Sequence, residues 1–257
     1  MTVERNENSF RSLLPHAETE YEAMVSQFAA KSTELTTEFI RLSSRDELLR
    51  TLQKLAVQGN WKRVASYHNP ILDSVVGSIN PDIATLWTDG GYDKKDMERC
   101  DASVTTCDCL VAQTGSMFLT AKSCGGRAIS ILPPHHVVVA TKEQLLSDLP
   151  AAYKFMQEKY EGGFPSMMTL VTGPSRTGDI ERILVLGAHG PKKLTFIDLG
   201  GHQMQINAVN IDTLKDAKIH PEAHKNLIVR VWGWSGYFVE LDECYQNQIM
   251  KRMQLII

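Results

Sequence analysis

The polar start of the chain gives way, across Glu18–Ala30, to Tyr21, Met24, Val25 and Phe28 at helical spacing, which predicts a helix. Glu34–Leu42 alternates and predicts a strand. Ser44-Arg-Asp-Glu47 is an S-x-x-E capping box ahead of Leu48, Leu49, Leu52 and Leu55, so a second helix starts there. Short strands are predicted at Arg63–Tyr67 and Ile83–Trp87, with an apolar helical segment around Ile71–Val76 between them. Val137–Ala140 reads as a strand leading to another capping box, Thr141-Lys-Glu-Gln144, and a helix to about Tyr160. The strand Met167–Val171, a helix Thr177–Leu186 and the strand Lys193–Ile197 complete the series.

Strands alternating with helices imply crossover connections, hence an α/β fold with a mostly parallel sheet and helices on its faces. Beyond Asp198 the texture changes at Leu199-Gly-Gly201, and the rest reads strand (Gln203–Val209), helix (Asp212–Ile219), strand (Leu227–Trp232), glycine loop and a final helix from about Asp242. The organisation expected is therefore an N-terminal helical segment (1–34), an α/β domain (35–198) and a small α+β segment (199–257). A net charge of −3 over 257 residues lacks the basic excess that phosphate-backbone binding requires, so nucleic acid is not an expected partner. No apolar run approaches the roughly 18 residues that span a bilayer, and Met1–Leu14 lacks a signal-peptide core, so the expected location is the cytoplasm. The five cysteines are odd in number, and Cys100, Cys107 and Cys109 have a C-x6-C-x-C spacing that fits neither paired zinc ligation nor a ferredoxin run. They read as reduced thiols, with no metal site expected and with Cys107 and Cys109 packing on one face of a strand.

The densest chemistry lies in Thr172-Gly-Pro-Ser-Arg-Thr-Gly-Asp-Ile-Glu181. Gly173 and Pro174 turn the chain, Ser175 or Thr177 can cap a helix, and Asp179 and Glu181 suit its first turn. Arg176 beside free backbone N–H groups could hold a carboxylate or phosphate; a capped helix with a surface arginine explains the same residues equally well. Thr114-Gly115-Ser116 suits close approach of backbone to a ligand, or a simple bulge. Arg127, Leu132-Pro-Pro-His-His136 and Ala188-His189-Gly190-Pro191 add further candidates at predicted turns, although a histidine in such a turn is more often structural than catalytic.

Taken together, Cys100-Asp101, Thr114-Gly-Ser116, Arg127, Ser130, Leu132-Pro-Pro134 with His136, TGPSRTGDIE and Gly187 with His189-Gly-Pro191 resemble the lactate-utilisation (LUD) family, in its protein C branch, over about residues 35–198. Gly178 stands where that family usually has Ala, which softens a helix start and removes no chemical group. The resemblance implies a fold like those of glucosamine-6-phosphate deaminase, ribose-5-phosphate isomerase and CoA transferases. It also implies an accessory role in a system that oxidises L-lactate to pyruvate, with iron–sulfur lactate-utilisation subunits as partners. Thr114, Gly115, Ser116, Arg127, His136, Thr172, Gly173, Ser175, Arg176, Thr177, Asp179, His189 and Gly190 are then binding-site candidates for a small carboxylate or phosphate.

In Leu227-Ile-Val-Arg-Val-Trp-Gly-Trp-Ser-Gly-Tyr-Phe-Val-Glu-Leu241, Gly233 lies between two tryptophans. A strand–turn–strand favouring glycine accounts for that composition. A glycine can also lose a Cα hydrogen to leave a planar radical, because no Cβ forces it out of plane. With Gly200-Gly-His-Gln-Met-Gln-Ile-Asn207, His220-Pro-Glu222, Tyr237-Phe238 and Gln246–Arg252, residues 200–257 resemble the C-terminal domain of glycyl-radical enzymes such as pyruvate formate-lyase. Gly233 falls on the radical glycine, and Trp234 replaces the usual Tyr or Phe. The long barrel and thiyl-radical cysteine loop of those enzymes have no counterpart here, so the nearer analogy is the autonomous glycyl radical cofactor, a spare tail for a glycyl-radical enzyme. It implies an S-adenosylmethionine-dependent activating enzyme as partner and an anaerobic setting. No complete catalytic set is visible, and three functions follow in order: a lactate-utilisation subunit bearing a glycyl-radical tail, a fusion with an inert tail, and a stand-alone small-molecule enzyme using Arg176 and His189.

Overall fold

The computed structural model describes residues 15–178, 184–200, 211–224, 227–231, 234–243, 246, 247 and 250. The chain divides into two compact units, Met1–Gly201 and His202–Ile257.

In the first unit, α1 (Tyr21–Glu34) is followed by β1 (Glu38–Arg41), α2 (Arg45–Gln58), β2 (Arg63–Ser66), β3 (Ala84–Trp87), α3 (Lys94–Glu98), β4 (Ala102–Thr105), β5 (Cys109–Val111), β6 (Ser116–Thr120), β7 (His135–Ala140), β8 (Leu145–Leu146), α4 (Leu149–Lys159), β9 (Met168–Val171), β10 (Arg176–Thr177), β11 (Val185–Leu186) and β12 (Lys193–Asp198). Six strands form one wholly parallel sheet in the order β1-β12-β7-β4-β2-β3. A second, mixed sheet runs β8-β5-β6-β9.

Parallel strands covered on both faces bury every residue, and β4 and β7 do so throughout. Alternate side chains feed two cores. Val64, Val104, Val137, Val139 and Ile197 face Leu48, Leu52 and Leu55 of α2 and Leu72–Ile79. Ala65, Val138, Leu194 and Phe196 face Phe28 of α1 and Met117 and Leu119 of the second sheet. Phe28 locks α1 to this layer, its ring centroid 5.1 Å from Phe196 and 5.6 Å from Phe39. The outer face of the second sheet packs Cys109, Val111 and Phe118 on Ala152 and Met156 of α4. The layers are thus α2, parallel sheet, α1 with mixed sheet, then α4.

Several local predictions are corrected. Glu34 still belongs to α1, and a left-handed Thr36 (φ 63°) separates it from a strand that starts only at Glu38. The capping box at Thr141 closes only the single 3-10 turn Lys142–Gln144; β8 intervenes, and Asp148 caps α4. Ile71–Val76 forms turns rather than a helix, ending in a 3-10 turn at Val76–Ser78. The described ends of the helix predicted over Thr177–Leu186 are strands instead, Arg176 pairing with Leu186 and Thr177 with Val185, while residues 179–183 lie outside the described residues. Cys107 and Cys109 do not share a face: the chain turns between β4 and β5, and each thiol enters a different core.

The second unit contains α5 (Ile211–Ile219), a 3-10 turn (Pro221–His224), and β13 (Ile228–Val231) paired antiparallel with β14 (Trp234–Tyr237). Leu214, Ala217, Val229 and Phe238 form its core. The strand predicted at Gln203–Val209 lies outside the described residues. Among the described residues, no helix is long and apolar enough to cross a membrane.

Candidate functional site

Most of the predicted binding residues assemble at one edge of the first unit. Ser116, which opens β6, places its Oγ 2.7 Å from Thr172 Oγ1 at the end of β9. Thr114 and Gly115 precede it in the turn from β5, and the Thr114 hydroxyl is buried without a hydrogen-bond partner. Gly173 has φ +87°, and a Cβ there would stand 3.2 Å from the Leu35 carbonyl oxygen, so this position requires glycine. Ser175 ties the two motif loops together. Its amide donates to the Pro191 carbonyl (2.9 Å), its carbonyl accepts from the Gly187 amide (2.9 Å), and its hydroxyl accepts from the His189 amide (3.3 Å). Gly190 packs against the Ser175 side chain. Arg176 and His189 are exposed here, and Thr177 pairs into β11.

This edge is the amino end of the parallel sheet, since Leu35 leads into β1 and Pro191 into β12. Open parallel sheets hold ligands at the opposite, carboxyl edge. Two predicted residues are placed apart from the cluster. Arg127 reaches Ser166 at the far end of the mixed sheet (Nε to Oγ 3.2 Å). His136 is buried in β7 with Nε2 2.8 Å from Thr105 Oγ1, and burial pulls its imidazole down to about 3, so it is a neutral core group. Its neighbour His135 meets Thr195 Oγ1 at 2.9 Å and is held at about 4 for the same reason. Asp179 lies outside the described residues.

At the carboxyl edge, the strand order reverses between β2 and β4, where a ligand crevice is expected. Here the chain's own groups occupy it. The Tyr67 hydroxyl lies 2.6 Å from Thr106 Oγ1 and from the Ser123 carbonyl oxygen, and burial pushes that phenol up to about 12. Thr88 Oγ1 donates to the Gly125 carbonyl (2.6 Å), and His68 stacks on Trp87 with centroids 4.4 Å apart.

Further along the same edge, an open cavity of about 430 Å³ is lined by Arg41, Leu42, Ser43, Leu199 and Gly200. Arg41 forks onto both Glu22 oxygens (2.6 and 2.7 Å), with its Nε 3.7 Å from Asp198 Oδ2. Asp198 is buried, which raises its carboxyl, while the Gly200 amide (3.0 Å) and Arg41 oppose that rise. The Tyr21 hydroxyl points at Asp198 (3.5 Å), and the Lys142 ammonium lies 4.3 Å from the Tyr21 ring centre. Motif reading missed this charge cluster. The signal for it was positional, an arginine and an aspartate each ending a strand of a parallel sheet.

Cys100, Cys107, Cys109 and Cys124 are free and buried. Burial pushes Cys100 and Cys124 up to about 11, Cys109 to about 12, and Cys107 well above its usual range. These thiols pack as small hydrophobes. In the second unit, Asp216 accepts from two imidazoles, His220 Nδ1 (3.0 Å) and His224 Nε2 (2.7 Å), which holds its carboxyl below the usual range. The pairing of Val231 with Trp234 leaves residues 232 and 233 between the two strands in the chain; Gly233 itself lies outside the described residues.

Six parallel strands between helical layers define the first unit as an α/β domain. Within that class, a family model for the LUD domain matches residues 25–197, and the chain belongs to that family. A model of the glycine radical family matches residues 187–239, a stretch that includes Gly233. Lactate utilization protein C of Shouchella clausii is 26% identical over 188 residues, spanning 62% of this chain and 82% of that protein. The protein of the same name from Anoxybacillus flavithermus is 31% identical over 169 residues, spanning 64% and 75%. A DUF162 family protein from Deinococcus radiodurans shares the fold at a TM-score of 0.57 and 21% identity, covering 72% of this chain and all of that one.

Proposed function

We propose that the first unit is a C-type accessory subunit of a cytoplasmic, anaerobic system that oxidises L-lactate to pyruvate, and that the second unit carries a glycyl radical at Gly233. The observation that carries this reading is the occurrence of both family signatures in series, with the glycine-radical match ending in a separate compact unit. Removing two electrons and two protons from L-lactate requires an electron acceptor. The four described cysteines are buried with raised pKa values, which supports placing the iron–sulfur clusters on a sister subunit. The exposed Arg176 and His189, backed by the Ser175 and Thr172 network, are the groups of this chain that would hold a small carboxylate.

For the second unit, the antiparallel strands flanking positions 232 and 233 suit a residue without Cβ, which fits a radical glycine. Installed by an S-adenosylmethionine-dependent activating enzyme, the radical would supply a hydrogen-abstracting centre for a partner glycyl-radical enzyme. Tagged protein purified without oxygen from its native host should bring down an iron–sulfur protein, and deletion should abolish growth on L-lactate. Isolation of the chain alone, together with normal growth of the deletion strain, would refute the lactate role.

A further inference from the structure

At the amino end of β2 and β3, on the α2 side of the sheet, lies a cavity of about 440 Å³ lined by Gln53, Ala56, Val57, Asn60, Trp61, Lys62, Ile79, Asn80 and Ile83. It is separate from the motif loops at β1 and β12. Its size falls within the roughly 300–1,000 Å³ of small-molecule sites. One side is apolar: Ala56, Ile79, Ile83, the Trp61 ring and Val57, which is 79% exposed.

The other side offers hydrogen-bond donors. Lys62 carries an ammonium group with no ion pair, and the Gln53 and Asn60 side-chain amides have no partner, among the described residues. The Asn80 side-chain oxygen Oδ1 accepts from the Asp82 amide (2.9 Å), which leaves its NH₂ group as the free end. Trp61 is 3% exposed, and its indole N–H is buried without an acceptor. That nitrogen lies against Gly59, and Trp61 enters the cavity wall as an apolar ring. No Asp or Glu lines the cavity. Asp101 is engaged by the Lys62 and Arg63 amides (2.6 and 2.9 Å), and Asp82, next to Ile83 in the chain, is not among the lining residues. The end of α2 does not present bare carbonyls either, because Leu55, Ala56 and Val57 accept from the Gly59, Trp61 and Asn60 amides.

We infer that this cavity binds an amphipathic monocarboxylate, its head on Lys62 and the Asn60 and Gln53 amides and its aliphatic tail against Trp61, Ile79 and Ile83. A cation has no carboxylate to meet there. A neutral alcohol of the same length would gain the apolar wall and forgo the ammonium. The inference does not depend on the lactate role, since Lys62 and Trp61 are remote in the chain from the motif loops.

The test is a titration of the full ¹⁵N-labelled chain with hexanoate, hexanol and hexylamine, reading the four tryptophan indole N–H signals. Hexanoate should shift one indole signal, the one lost in Trp61→Phe, with saturation. Lys62→Gln should weaken hexanoate about tenfold and leave hexanol unchanged, as expected for loss of one charge-assisted contact. A Lys62→Arg variant should retain most of the affinity, which separates charge from fold. Equal binding of hexanol, preferential binding of hexylamine, or no saturable shift of the Trp61 signal would each overturn the inference. Pyruvate binding unaffected by Lys62→Gln would leave the motif-loop proposal standing on its own.

Discussion

Gly115 and Ser32 approach so closely that a Cβ on the glycine would stand 2.6 Å from the Ser32 amide nitrogen, at a φ of +64°. The turn from β5 to β6 therefore closes directly on the last turn of α1. Gly115→Ala combines a left-handed backbone with a collision against another backbone, and should cost at least about 2 kcal/mol. A urea unfolding curve measures it; a midpoint equal to wild type would show that α1 can give way.

The paired core histidines set a pH dependence. Both imidazoles are pulled below their ordinary value by burial, to about 4 for His135 and about 3 for His136. The unfolded chain then binds protons that the fold refuses, so stability is complete above about pH 6.5 and declines as pH falls through 6.5 toward those lower values. Each histidine should remove about 2 kcal/mol by pH 5. The His135→Gln/His136→Gln double variant should show a flatter fall in stability between pH 7 and 5, whatever its stability at pH 7.

The cysteines should be silent. Alkylation requires the thiolate, and Cys100, Cys107, Cys109 and Cys124 are both buried and held protonated at neutral pH. Peptide mapping after brief iodoacetamide treatment at pH 8 should find these four unmodified in folded protein and all modified in urea. Rapid native labelling of Cys107 or Cys109 would assign them a chemical role.

The layered fold was legible because its strongest signals were local: Ser44 caps α2 as the S-x-x-E pattern states, with its Oγ accepting from the Glu47 amide. The parallel strands followed from apolar runs such as Val137–Ala140, which is buried throughout. The failures occurred where tertiary pairing overrode local pattern. Asp179 and Glu181 after Ser175 look like a helix start, yet Arg176–Thr177 pairs with Val185–Leu186. The site divided in the same way. Ser116, Thr172, Ser175 and His189 were found as motifs and do meet, while His136 was drawn from its motif into the core by a bond to Thr105. The Arg41–Asp198 cluster carried no motif and became visible only when β1 and β12 paired.

Arg176 is one exposed cation of the motif edge, with Lys192 beside Gly187 as another. If this edge holds a small carboxylate, pyruvate or L-lactate should raise the melting temperature of the wild-type chain. Arg176→Gln should lose that increment while unfolding at the same temperature without ligand, because the side chain is exposed. An undiminished increment in the variant would move the ligand elsewhere.

The joining of a lactate-utilisation domain to a radical-bearing tail is tested most directly by electron paramagnetic resonance. The full chain is incubated without oxygen with a glycyl-radical activating enzyme, S-adenosylmethionine and a reductant. A doublet-like glycyl signal should appear, should vanish in Gly233→Ala, and should give way to cleavage at residue 233 on exposure to air. No signal under conditions in which the activating enzyme charges its own substrate, or a signal that persists in Gly233→Ala, would contradict the account.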